Sequence, residues 1–118
     1  MTERMDNWKT QVRRGYLELC ILLLIQRYKR LYGFDLLEKL EDQGLPLKEG
    51  TLYPLLNRMA EDQYLDTQWE TENLSGHPRK FYSLTARGTV LLEEMKAEFE
   101  KMILAYQSVQ NRKSPRRK

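Results

Sequence analysis

Apolar residues recur along this chain first with a helical period and then with a period of two. From about Trp8 to Arg30, Val12, Tyr16, Leu17, Leu19, Cys20, Ile21, Leu22, Leu23, Leu24, Ile25 and Tyr28 surround a helix on most sides, the pattern of a central, buried one. Residues 1–7 are polar and are expected to fray. LYG at 31–33 interrupts the pattern. Phe34, Leu37 and Leu40, with Leu36 beside them, then predict a short amphipathic helix over 33–42. Gly44 suits the position after its end, and Pro46 forbids continuation. In EGTLYPLLNRM, residues 49–59, Leu52, Leu55, Leu56 and Met59 return at helical spacing and predict a third helix from Glu49 to Asp62. Gly50 and Pro54, the poorest helix formers, sit in its opening turns, so an irregular first turn is expected.

After Gln63 the period falls to two. Leu65, Thr67, Trp69 and Thr71 alternate with polar residues, the mark of a half-buried strand. RKFYSL, 79–84, is a second strand, and ENLSGHP, 72–78, is the long tip of the hairpin they form. Thr85 caps a last helix running to about Asn111. Along it Leu92, Met95, Phe99, Met102, Tyr106 and Val109 are spaced alternately three and four apart, a heptad seam. Three helices with a tight second connection, then a hairpin, describe a winged helix-turn-helix. The expected fold class is α+β, mainly helical. Its divisions are a winged helix-turn-helix over 1–84, a dimerisation helix over 85–111 and a basic, disordered tail over 112–118. The seam could pack back on its own domain. Its length and strict spacing favour a partner helix, hence a homodimer.

Composition narrows the function. The apolar run Leu19–Ile25 is too short to span a bilayer, and no leading apolar run with a cleavage site precedes it. A cytoplasmic protein without a membrane partner is expected. Cys20 is alone, cannot form an intrachain disulfide and reads as a core residue. His77 is the only histidine and has no clustered partner. With no nucleophile–base pair, metal cluster or phosphate-cradling loop, neither an enzyme nor a cofactor is expected. The net charge is +3, but the tail RKSPRRK carries five basic residues and no acid, which leaves the rest at −2. Net charge therefore does not mark a nucleic-acid binder; local placement has to.

The third helix offers Thr51, Tyr53, Asn57 and Arg58 opposite its leucines, with Lys48 just before it. Tyr53 and Asn57 are i, i+4 neighbours. Asn can read adenine with two hydrogen bonds, and Thr and Tyr can bond phosphate or base edges. Such a face is either solvated surface or the reading face of a recognition helix. Gly50, with no side chain, would let the helix end approach phosphate closely. His77, Arg79 and Lys80, near Ser75 and Gly76, make a basic hairpin tip suited to a phosphate backbone or a minor groove, or an ordinary basic turn. Arg13 and Arg14 at the head of the first helix would oppose its macrodipole, which makes them candidates for phosphate contact, as is Tyr32.

Together RGYLELCILLLI (14–25), LYGFDLLEKLE (31–41), EGTLYPLLNRMAEDQYL (49–65) and PRKFYSLTARG (78–88) resemble a short PadR-family transcriptional regulator. The resemblance implies a dimeric bacterial repressor that binds palindromic operators near its own or a neighbouring promoter. Dimerisation would use the last helix, assisted by the first. Some such proteins release DNA on binding phenolic acids or hydrophobic drugs. Residue by residue, Lys48, Thr51, Tyr53 and Asn57 fall on the recognition helix and its approach, Tyr32 on the second-helix start, and Arg79 and Lys80 on the wing. Lys48 and Glu49 depart from the Ser or Thr that many members place before the glycine, so the helix cap is weaker here. Trp8, Met95 and Phe99 are candidates for a flat aromatic effector pocket, with core packing as their plainer role. A protein–protein adaptor, or a multidrug sensor with weak DNA specificity, are the alternative functions.

Overall fold

A computed structural model describes residues 2–71 and 76–111. The expected tail and Ser75 of the hairpin tip lie outside the described residues. The chain forms α1 (Thr2–Tyr28), β1 (Leu31–Tyr32), α2 (Gly33–Asp42), α3 (Glu49–Glu61), β2 (Leu65–Glu70), β3 (Arg79–Leu84) and α4 (Ala86–Gln110). Four helices and a three-stranded antiparallel sheet of order β1-β3-β2 make a winged helix.

Helix α1 starts six residues earlier than its apolar pattern predicts, so Thr2–Asn7 are helical rather than frayed. Only its second half is buried: Leu17, Leu19, Ile21, Leu22 and Ile25 enter the core, while Met5, Trp8 and Val12 are exposed. It stops where Lys29 takes a positive φ of 75°. The strand β1 was not expected. Residues that read only as a helix break pair instead with β3, Leu31 opposite Tyr82 and Tyr32 opposite Phe81. Two residues are too few to show a period.

The turn between α2 and α3 follows its sequence closely. Gly44, at φ 79°, ends α2, and the Leu45 N–H donates back to the Leu40 carbonyl at 2.8 Å. Leu45 is thereby drawn into the core, where Leu36 and Leu40 of α2 meet Leu52, Leu56 and Met59 of α3. Each fully buried leucine contributes about 1.5–3 kcal/mol relative to exposure. Phe34 departs from the expected apolar face and is 51% exposed.

In β2 the expected alternation does not bury a face. Leu65 alone is buried, and Trp69 is 62% exposed. Tyr82 of β3 is the strand's buried anchor. Helix α4 is fastened at its start. The Thr85 hydroxyl accepts from the Gly88 N–H at 2.8 Å and donates to the Gln63 carbonyl at 2.7 Å. A Cβ at Gly88 would run into the Tyr64 carbonyl, so only glycine lets the helix lie this close. Farther along, Leu92 is fully buried, and Met95 and Phe99 pack against the core with the Phe99 ring 5.4 Å from Tyr16. Met102, Tyr106 and Val109 are exposed.

Candidate nucleic-acid interface

Helix α3 buries Leu52, Leu56 and Met59 and turns Lys48, Thr51 and Asn57 outward. Where an irregular first turn was expected, the helix is α-helical from Glu49: the N–H groups of Thr51 and Leu52 share the Lys48 carbonyl, at 3.0 Å each. Lys48 is the N-cap and makes no side-chain cap bond. Pro54 lies within the helix and lacks the N–H that would reach the Gly50 carbonyl. A Cβ at Gly50 would meet nothing within 4 Å, so this end of α3 is open to an approaching ligand.

Tyr53 differs from the exposed stripe that its spacing with Asn57 suggests. Its ring is half-buried over Gly33, where any Cβ would overlap it, so a glycine at the head of α2 is what seats the ring. Burial first, then the nearby Glu49 carboxylate and Tyr32, push its phenol above the ordinary tyrosine range. Tyr53 therefore presents a protonated hydroxyl at neutral pH. Tyr82 below it is shifted the same way, by burial and by Tyr53.

Two basic flanks border α3. On one side Tyr53 and Asn57 share a cleft of about 420 Å³ with Tyr32 and with Trp69, Arg79 and Lys80 of the wing. Aromatic rings steer the wing cations: Arg79 lies 4.8 Å from the Tyr32 ring centre, and Lys80 5.8 Å from Trp69 and 5.7 Å from Tyr82. On the other side Arg13 and Arg14 of α1 share a groove with Thr51. These arginines sit in the middle of α1, not at its head, because the helix begins at Thr2. The macrodipole argument for them therefore fails, and their placement beside α3 replaces it. His77 is exposed just before β3.

The structure thus gathers Tyr32, Tyr53, Asn57, Arg79 and Lys80 around one cleft and Arg14 with Thr51 around another groove. Trp69 belongs with the first set but was expected to face the core. Strand alternation gives the side of a residue but not what that side meets in the fold. Of the candidate effector residues, Met95 and Phe99 line an apolar groove of about 580 Å³ with Val12, Tyr16 and Met102. Trp8, one turn beyond Val12, does not line it and is exposed. Cys20 is half-buried; burial pushes its thiol up, partly offset by its hydrogen bond with Tyr16. No described helix is long and apolar enough to cross a membrane.

A model of the PadR-like transcriptional regulator family matches residues 21–94. A PadR-like transcription factor from Bacteroides fragilis is 39% identical, with 88% of this chain covering 99% of that one at a TM-score of 0.73. A PadR-like regulator from Bacillus cereus is 32% identical over 86% of this chain and 97% of that one, at 0.77. A PadR-family regulator from Eggerthella lenta is 27% identical over 95% and 93%, at 0.78. The family match over residues 21–94 and these relatives place the chain in the PadR-like family of DNA-binding transcriptional regulators.

Proposed function

We propose that this protein is a sequence-specific repressor that binds a palindromic operator as a homodimer. The observation that carries the reading is the polar face of α3 lying between the wing cations and the α1 arginines. Thr51 and Asn57 enter the major groove and read base edges. Tyr53 donates its hydroxyl from a fixed position. Arg79, Lys80 and His77 follow the backbone or minor groove, and Arg14, Tyr32 and Lys48 hold phosphates. Residues 1–84 form the DNA-binding unit and 85–111 the dimerisation helix, with 112–118 adding salt-sensitive attraction.

The exposed Met102, Tyr106 and Val109 on α4, together with Met5, Trp8 and Val12 on α1, support dimerisation, since two helices seldom leave such apolar stripes in water. The apolar groove at Met95 and Phe99 supports a second element, release by a hydrophobic or phenolic ligand bound near the same helices. Titration of labelled DNA from upstream of the protein's own gene, beside a scrambled duplex at several salt concentrations, tests the reading. Binding to the upstream duplex should survive salt that releases the scrambled one. Equal loss of both would remove sequence-specific regulation at that site.

A further inference from the structure

A groove of about 600 Å³ separates the middle of α1 from the first turns of α3, and its α3 residues, Thr51, Pro54, Leu55 and Arg58, are none of those that line the wing cleft. Its floor is apolar: Leu17 and Leu45 are almost wholly buried, and Leu47 and Leu55 half-buried. Its rim is cationic. Arg58 pairs with Glu18 at 3.3 Å, but Arg13 and Arg14 are exposed and make no ion pair among the described residues. In mid-helix these cations gain nothing from the macrodipole, which acts only within the end turns. The volume lies in the range of small-molecule sites, where an apolar lining supplies affinity and a few polar groups set orientation.

We propose that this groove binds an amphiphilic anion, a carboxylate carried on a medium-length apolar body. Arg13 and Arg14 hold the carboxylate, for which guanidinium forks are shaped. The apolar body lies along Leu17, Leu47 and Leu55. A neutral amphiphile loses the charge-assisted bonds, and a cationic one is repelled. Arg14 and Thr51 also belong to the DNA face, so occupancy of the groove and of the operator exclude one another. That last consequence rests on the proposed function; the binding site itself does not.

The test uses the full chain without DNA. Octanoate and octanol are titrated by calorimetry into the wild type and into an Arg13→Ala, Arg14→Ala variant, whose thermal unfolding checks that the fold is intact. Octanoate should bind the wild type and lose at least about tenfold in the variant. Octanol should bind weakly and equally to both. The site is overturned if octanoate does not bind, if octanol matches it, or if the variant keeps its octanoate affinity. In those cases the arginines serve the phosphate backbone alone, or the α1–α4 apolar groove is the site. Octanoate should then release labelled upstream duplex competitively from the wild type. Simultaneous binding of both overturns the exclusion. Octanoate binding with no duplex binding at all supports the site and removes the proposed function instead.

Discussion

Helices α3 and α4 both carry a stripe of large apolar residues, yet they leave opposite faces unsatisfied. In α3 the stripe Leu52, Leu56 and Met59 is buried within the chain, and what remains outside is Lys48, Thr51 and Asn57. In α4 burial ends early. Leu92 is fully covered, Met95 and Phe99 partly, while Met102, Leu104, Tyr106 and Val109 are 54–85% exposed. A polar remainder loses little in water and suits a partner made of phosphates and base edges. An apolar remainder suits a partner made of the same kind of surface. The same sequence grammar therefore underlies both proposed roles, nucleic acid for one helix and a second chain for the other.

The comparison is sharpest at the two buried roots. Leu56→Ala and Leu92→Ala should each cost about 2–5 kcal/mol, read by urea unfolding, because both remove fully buried leucine atoms from a packed core. A much smaller cost at Leu92 would mean that α4 is not rooted as α3 is. Next in size, Met102→Glu with Tyr106→Glu should weaken self-association by at least about a hundredfold, about 3 kcal/mol, in sedimentation while leaving the fold intact. Unchanged association would break the assignment of the apolar remainder to a second copy. On α3, Asn57→Ala should cost about 1–3 kcal/mol on cognate DNA and nothing on random duplex. Equal losses would make its face a general polyanion surface.

Smaller effects separate α3 from the wing and from its own packing. Lys80→Ala should weaken all duplexes alike and lower the salt slope by about one. Discrimination between sequences should not change. The folded chain holds the Tyr53 and Tyr82 protons more tightly than the unfolded chain does. Their contribution is fully present below the unperturbed phenol value of about 10 and is lost as pH rises above it. Tyr53→Phe should therefore flatten part of the fall in melting temperature as pH rises above about 10. An unaltered fall would place Tyr53 on the solvent-exposed face with Asn57 rather than against Gly33.

Most of the fold was legible because its signals are local. The α2 bounds, the Gly44 turn, the start of α3 and the Thr85 cap each follow from residues within one or two turns of the feature they set. Candidates for the proposed site could be named by residue type, and Asn57, Arg79 and Lys80 do line one cleft and Thr51 the neighbouring groove. Three things were not legible. The β1 pairing joins residues 49 and 51 positions apart through a two-residue strand with no period of its own. Trp69 falls on the alternating side that Leu65 begins, yet it is 62% exposed and lines the cleft beside α3, which a period of two does not reveal. Arg13 and Arg14 look like the head of a helix until polar residues before them are also seen to be helical.

By itself, then, the sequence determined where α2, α3, β2, β3 and α4 start, which residues form their apolar sides and which residues could meet a polyanion. These depend on backbone preferences and on side-chain spacing, both set by near neighbours. The tertiary structure decided which apolar side is actually covered, which cations stand beside α3 and that the Tyr53 ring closes over Gly33. Those are matters of where separate elements come to rest, and burial and electrostatic fields depend on that distance in space rather than on distance along the chain.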